Sequence, residues 1–165
     1  MITIDIPADV REAIYEHAHA TYPDECCGYL VGPRDGTRVD GTVICRNAQR
    51  DPSGNDTGSL GSLTQGRGAD TAFVIDGAEL FAFARALDGD RPPRVLYHSH
   101  TNGRAYFSEL DRQAAGVPPF YPVQHLVIGV TAEGLTEAAQ FAWSEDERDF
   151  VEVARWQIDK AAPVV

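Results

Sequence analysis

The chain has 165 residues, a length that suits one domain able to bury a sizeable core without disulfide bonds. Its composition, 43% hydrophobic and 24% charged, is typical of a soluble globular protein. The formal net charge of −11 argues against nucleic-acid binding, which needs a basic face, and against attraction to an anionic membrane surface. A partner is therefore expected to be neutral or locally basic.

The cysteine content and the N-terminus point to one cellular compartment. Cys26, Cys27 and Cys45 are an odd, low number that does not resemble a disulfide framework, and free thiols are typical of a reducing environment. The first residues lack the basic segment and long apolar run of a signal peptide, and no stretch has the length of a membrane span. We therefore predict a cytoplasmic protein.

The hydrophobic pattern predicts both strands and helices in chain order. Residues 2–6 alternate apolar and polar, which is typical of a half-buried strand, and Pro7 suits the first turn of a helix that runs to about Ala20. Further strands are predicted at 27–32, 38–46, 71–75, 94–100, 123–130 and 135–143, and further helices at 76–87 and 108–115. The tail, 147–158, fits either a strand or an amphipathic helix.

This order of elements is mixed and does not repeat a strand–helix unit. It predicts an α/β (α+β) fold with three layers around one mixed or mostly antiparallel sheet, and residues 1–165 as a single domain. Residues 47–70 are rich in glycine and serine and are predicted to form a long flexible loop. A functional flap and a tolerated insertion are both open interpretations of that loop.

The segment from His98 to Asp111 contains the residues suited to metal chemistry. Residues two apart on a strand point to the same face, so His98 and His100 can bring two imidazoles to one point. A loop of seven residues follows, and the next predicted helix carries Ser108 and Asp111 in its first turn. Two histidines and a carboxylate are the ligands of many catalytic zinc sites, which keep a further position for water.

Each of these residues also has a structural interpretation. Ser108 with Asp111 three residues later resembles a helix N-cap with an acidic partner, but capping does not explain the paired imidazoles. Glu25 is a candidate general base, although position alone favours an ordinary exposed loop glutamate. His125 begins an apolar strand and is interpreted as a structural histidine, with a supporting role at the site left open.

The pattern His98-Ser-His100, seven residues, then Ser108-Glu-Leu-Asp111 resembles the signature of the JAMM (MPN-plus, or Mov34/MPN/PAD-1) zinc metalloproteases. The upstream run 23–32 is similar to that family as well, and the resemblance covers most of residues 1–145. It implies a JAMM/MPN domain: a curved mixed sheet flanked by helices, related to the cytidine deaminases.

The resemblance also implies a role for each matching residue. His98, His100 and Asp111 would bind one Zn²⁺ per chain, Glu25 would be the general base, and Ser108 would hold the water or the oxyanion. One departure is visible, since the family often has proline after the second histidine and this chain has Thr101. That difference concerns the stiffness of the following turn and leaves the ligand set intact.

The small size is similar to that of the stand-alone prokaryotic members, which act on ubiquitin-like sulfur-carrier proteins. The expected activity is hydrolysis after the carrier's C-terminal diglycine, which removes an added amino acid or a C-terminal extension. A non-catalytic scaffold that binds a partner protein and a deubiquitinase-like isopeptidase are the alternatives. The absence of His-x-Glu and of Pro-Cys-x-x-Cys from the chain argues against a nucleobase deaminase. The oligomeric state is open, with a homodimer among the options.

Overall fold

The structure, a computed structural model, describes residues 2–48 and 75–161. In chain order, its helices and strands are α1 (Ala8–Thr21), β1 (Cys27–Val31), β2 (Gly41–Cys45), α2 (Gly77–Ala86), β3 (Pro93–His100), α3 (Glu109–Ala115), β4 (Gln124–Thr131), β5 (Gly134–Ser144) and β6 (Asp149–Ala161). The strands form one six-stranded sheet in the order β2-β1-β3-β4-β5-β6. Only β3 and β4 pair in parallel among these neighbours, so the predicted α+β fold with a mixed sheet is confirmed.

Helix α1 covers one face of the sheet. It follows Pro7, which is the N-cap, and its last residue is Thr21, with Tyr22 as the C-cap. The helix does not continue because Tyr22 precedes Pro23, and a residue that precedes proline is disfavoured in helical conformation. Its buried side chains, including Val10 and Ile14, pack with apolar residues of β1, β3 and β4 in one core cluster.

Helices α2 and α3 cover the opposite face, which completes three layers. Asp76 caps α2 by accepting a hydrogen bond of 2.9 Å from the amide of Glu79. Phe83 of α2 is fully buried against Tyr29 and Phe120. Strand β3 alternates between the two faces, so His98 and His100 share the face of Leu96, away from α1.

The predicted strand at 2–6 is wrong. Only Asp5 forms a bridge, to Arg38, and the rest of the segment is extended chain without a strand partner. The alternating pattern reports burial correctly, since Ile4 and Ile6 lie in the core. Side chains satisfy both backbone polar groups of Ile4: its amide donates to Gln124 Oε1 at 3.2 Å, and its carbonyl accepts from Gln140 Nε2 at 3.0 Å.

Other predictions differ from the structure at their boundaries. Strand β2 begins at Gly41, three residues later than expected, and the ambiguous tail is the long strand β6. Residues 49–70 of the predicted loop and 71–74 of the predicted strand lie outside the described residues, while Ile75 forms a bridge to Asn47. Within the described ranges, no helix has the length and apolar character needed to cross a membrane.

The docking of α1 can be tested at its centre. Ile14→Ala removes a fully buried side chain and leaves a cavity, so the free energy of unfolding should fall by about 2–5 kcal/mol. Equilibrium urea unfolding measures this change, with Glu16→Ala on the exposed side of the same helix as the control. Equal stability of the two variants would contradict this packing.

Candidate metal centre

Two histidines of β3 meet on the face of the sheet covered by α3. Their side chains point the same way because one residue separates them on the strand. His98 and His100 are only 1% and 7% exposed, and their Nε2 atoms lie 3.2 Å apart. The sequence-predicted convergence of the two imidazoles is therefore present in the structure.

Asp111 completes a cluster of three potential ligands. Its Oδ1 lies 3.3 Å from Nε2 of His98, and its Oδ2 lies 3.2 Å from Nε2 of His100. The Asp111 side chain is 9% exposed, so all three groups are largely removed from solvent. The loop after β3 and the first turn of α3 thus bring the carboxylate back to the strand that carries both histidines.

The position of the Asp111 carboxylate follows from helix capping. Ser108 is the N-cap of α3, and its Oγ accepts from the amide of Asp111 at 3.0 Å. In return Oδ2 of Asp111 accepts from the amide of Ser108 at 2.9 Å, which completes a capping box. The capping and metal interpretations of this pair are compatible, because the capped carboxylate also faces both imidazoles.

The three groups fit a tetrahedral zinc ion. Ligand atoms held at about 2.0 Å from one zinc with tetrahedral angles lie about 3.3 Å from each other, close to the 3.2 Å between the two Nε2 atoms. A different oxygen of Asp111 lies near each of these nitrogens, and one ligand atom from each residue lies within 4.8 Å of the other two. His100 Nδ1 lies 3.2 Å from the carbonyl oxygen of Arg104, so that nitrogen can donate its proton and leave Nε2 as the ligand. Imidazole nitrogen and carboxylate oxygen are also donors that zinc prefers.

The electrostatics of the cluster favour a cation. Burial alone would raise the pKa of Asp111, but the neighbouring His98 and His100 outweigh it and hold that pKa well below its ordinary value. Burial alone would lower the pKa of His98, but the Asp111 carboxylate and, to a smaller extent, Glu25 raise it above its ordinary value. A buried carboxylate kept ionised between two imidazoles is therefore a site that attracts positive charge.

Glu25 lies two residues before β1, where the pairing of β1 with β3 ends. Cys27 is paired with His98 in that register, and the amide of Ser99 donates to Cys26 O at 3.1 Å. Continuing the antiparallel register by one more residue places Glu25 opposite His100. Glu25 is 7% exposed, and its charge contributes to the raised pKa of His98. The structure therefore brings Glu25 close to the cluster.

Two further residues contact the cluster. His125 lines a small cavity together with His98 and Asp111, and burial, followed by the charge of His98, lowers its pKa to about 3. Tyr106 is 45% exposed and packs its ring against His100 with centroids 4.6 Å apart. Sequence reasoning left the role of His125 open and missed Tyr106, because no spacing rule relates a loop aromatic to a neighbouring ligand.

The chain is similar to known proteins over most of its length. The family described as prokaryotic homologs of the JAB domain matches residues 7–145. The chain is similar to the CysO-cysteine peptidases of Mycobacterium tuberculosis and Mycobacterium bovis, at 34% identity over 114 residues that cover 68% of this chain. The match spans 66% of the length of those relatives.

Solved structures support the fold. A protein of Desulfitobacterium hafniense superposes with a TM-score of 0.60 at 22% identity, over 93% of this chain and 90% of that one. A protein of Salinibacter ruber superposes with a TM-score of 0.57, also at 22% identity, over 97% and 95% of the two chains. At this level of identity the likeness concerns the architecture alone.

The capping box gives a prediction about the metal-free protein. Ser108→Ala removes the oxygen that accepts from the amide of Asp111, so the free energy of unfolding should fall by about 0.5–2 kcal/mol. Urea unfolding in the presence of a chelator measures the effect, and Ser108→Thr, which keeps a capping hydroxyl, should stay near the wild type. An alanine variant as stable as the threonine variant would contradict the capping role.

Proposed function

The chain belongs to the family of prokaryotic homologs of the JAB domain, and on that premise we propose that it is a zinc-dependent peptidase. Its substrate is a ubiquitin-like sulfur-carrier protein, and the scissile bond follows the carrier's C-terminal diglycine. The reaction removes an added amino acid or a C-terminal extension. The observation that carries this proposal is the buried convergence of His98, His100 and Asp111 within 3.2–3.3 Å.

The relatives support the substrate class. The mycobacterial proteins are named CysO-cysteine peptidases. The small size of this chain, which is similar to that of the stand-alone prokaryotic members of the family, also implies a carrier protein as the substrate. A peptidase of this type needs a water-derived nucleophile, a base for its proton and a group that stabilises the oxyanion.

His98, His100 and Asp111 are the proposed zinc ligands. When bound, zinc polarises a substrate carbonyl and makes water acidic enough to ionise near neutral pH. The protein contributes the placement of its ligand atoms. The Arg104 carbonyl orients the His100 ring, and the amide of Ser108 holds one oxygen of Asp111. Pre-positioned ligands lose little conformational freedom on binding, which favours tight association.

Glu25 is the proposed general base. Its carboxylate takes a proton from the attacking water, whose oxygen forms a bond to the scissile carbonyl carbon. The same proton then passes to the departing amine as the carbon–nitrogen bond breaks, so the products are a carrier carboxylate and a free amino group. Burial at 7% exposure and proximity to His98 suit this role, because a base in the site must be shielded from bulk water.

Ser108 is the proposed stabiliser of the oxyanion. Its Oγ already accepts from the amide of Asp111, which fixes the side-chain rotamer at the start of α3. A hydroxyl can donate one hydrogen bond while it accepts another, so its proton stays available for an oxygen that gains negative charge. The cap therefore holds the donor in place before the substrate arrives.

The carrier tail is proposed to bind as an extended strand. β2 is an edge strand, and its Cys45 is joined through Cys27 to His98 in the pairing register, so the edge leads toward the ligands. Tyr106 is a second exposed group beside the cluster, and its ring packs on His100. A diglycine suits a narrow passage beside the cluster because it brings no side chains.

Turnover of a carrier substrate tests the proposal. The zinc-loaded protein should release one amino acid from a carrier that ends in diglycine plus cysteine, followed by intact-mass spectrometry. Glu25→Gln should retain zinc but lose at least about 100-fold in kcat, because proton transfer is lost while the ligands remain. His17→Gln, on α1 across the sheet, is the matched control and should keep both zinc and activity.

The outcomes separate the alternatives. Near-normal turnover by Glu25→Gln would contradict the assignment of the base. A wild-type chain that binds zinc but cleaves no carrier with any C-terminal extension would contradict the peptidase. A wild-type chain that takes up no zinc would favour the scaffold interpretation and a search for binding partners.

A further inference from the structure

The ligand loop, residues 101–107, joins the last residue of β3 to the cap of α3. It determines whether His100 and Asp111 meet, because His100 directly precedes the loop and Asp111 lies in the first turn of the helix that follows it. Two side chains of β5 bind the loop backbone: Thr136 Oγ1 donates to the carbonyl of Gly103 at 2.6 Å, and Glu137 Oε2 accepts from the amide of Ala105 at 2.8 Å.

Strand β6 adds a third attachment. Arg155 donates from Nη2 to Ala105 O at 2.7 Å and from Nη1 to Glu137 Oε2 at 2.6 Å. Both backbone polar groups of Ala105, a fully buried residue, are therefore bonded to the Glu137–Arg155 pair. Arg155 lies beyond the family match, which ends at residue 145.

One peptide group connects this pair to a proposed zinc ligand. The carbonyl of Arg104 and the amide of Ala105 belong to the same planar peptide unit, so fixing one group fixes the other. Glu137 holds the amide, and the carbonyl lies 3.2 Å from Nδ1 of His100. Hydrogen bonds that share a peptide group also polarise one another.

We propose that Glu137 and Arg155 are positioning residues for the metal centre, acting through this peptide on the orientation of His100. The inference rests on the proposed function, since it assumes that the cluster binds zinc. Partners that orient a ligating histidine commonly change metal affinity by roughly 10–100-fold when they are removed. The amide of Ala105 is also the first cause of the lowered pKa of Glu137, which fits a carboxylate that stays ionised in this role.

The effect should appear in metal affinity more than in stability. The side chains of Glu137 and Arg155 are 22% and 36% exposed, and ion pairs at that exposure contribute little to the free energy of unfolding. The ligand loop, in contrast, has a single productive arrangement for His100. Loosening the peptide therefore lowers the population of metal-binding geometry while the fold persists.

Zinc affinity, measured by competition with a chromogenic chelator, tests the inference. Glu137→Ala and Arg155→Ala should each weaken zinc binding by about tenfold, and the double variant should lose little more, because the two residues act as one unit. Glu137→Gln keeps an oxygen for the Ala105 amide but loses the charge, so its affinity should fall between those of wild type and Glu137→Ala. If Glu137→Ala folds poorly, the zinc affinity of Glu137→Gln tests the inference in its place.

Glu145 provides the matched control. It pairs with Arg148, at 3.8 Å, in the exposed turn between β5 and β6, and the contacts described for it do not include the ligand loop, so Glu145→Ala should bind zinc as the wild type does. Amide hydrogen exchange should accelerate at Ala105 in Glu137→Ala and stay slow in the control. Wild-type zinc binding with unchanged affinity in Glu137→Ala and Arg155→Ala would overturn this inference alone. A wild type without zinc would overturn the proposed function and this inference together.

Discussion

The burial of one carboxylate between two imidazoles is the constraint on which the rest of the site depends. His98, His100 and Asp111 are largely removed from water, so each must have its polarity compensated within the protein or by a bound cation. The interaction of the carboxylate with the imidazoles supplies part of this compensation, as the lowered pKa of Asp111 and the raised pKa of His98 indicate. A divalent cation at the centre of the triangle would satisfy all three groups at once.

Ordinary elements of secondary structure produce this arrangement. The strand period places His98 and His100 on one face, and a helix cap fixes Asp111 through Ser108. Where the related family often has proline, this chain has Thr101, and the structure supplies the stiffness of the turn by hydrogen bonds to β5 and β6. The ligand loop is thus held by neighbouring strands in addition to its own local hydrogen bond from the amide of Arg104 to Asn102 Oδ1.

The parts that sequence could predict are those governed by local rules. A spacing of two on a strand and of three at a helix start fixes geometry within one element, so the shared face of His98 and His100 and the capping pair Ser108–Asp111 were predictable. The segment 2–6 was not, because alternation reports burial and is blind to the side chains, such as Gln124, that replace a strand partner. The roles of Glu137 and Arg155 depend on contacts between distant segments, which a single sequence does not reveal.

X-ray absorption at the zinc K edge of the zinc-loaded protein identifies the atoms that bind the metal. We expect nitrogen and oxygen ligands at about 2.0–2.1 Å, scattering from two imidazole rings, and no sulfur. The three cysteines are buried free thiols, and Cys27 is paired with His98 in the sheet, so sulfur is the specific alternative ligand. A sulfur ligand at about 2.3 Å would contradict the assignment of His98, His100 and Asp111 as the metal centre.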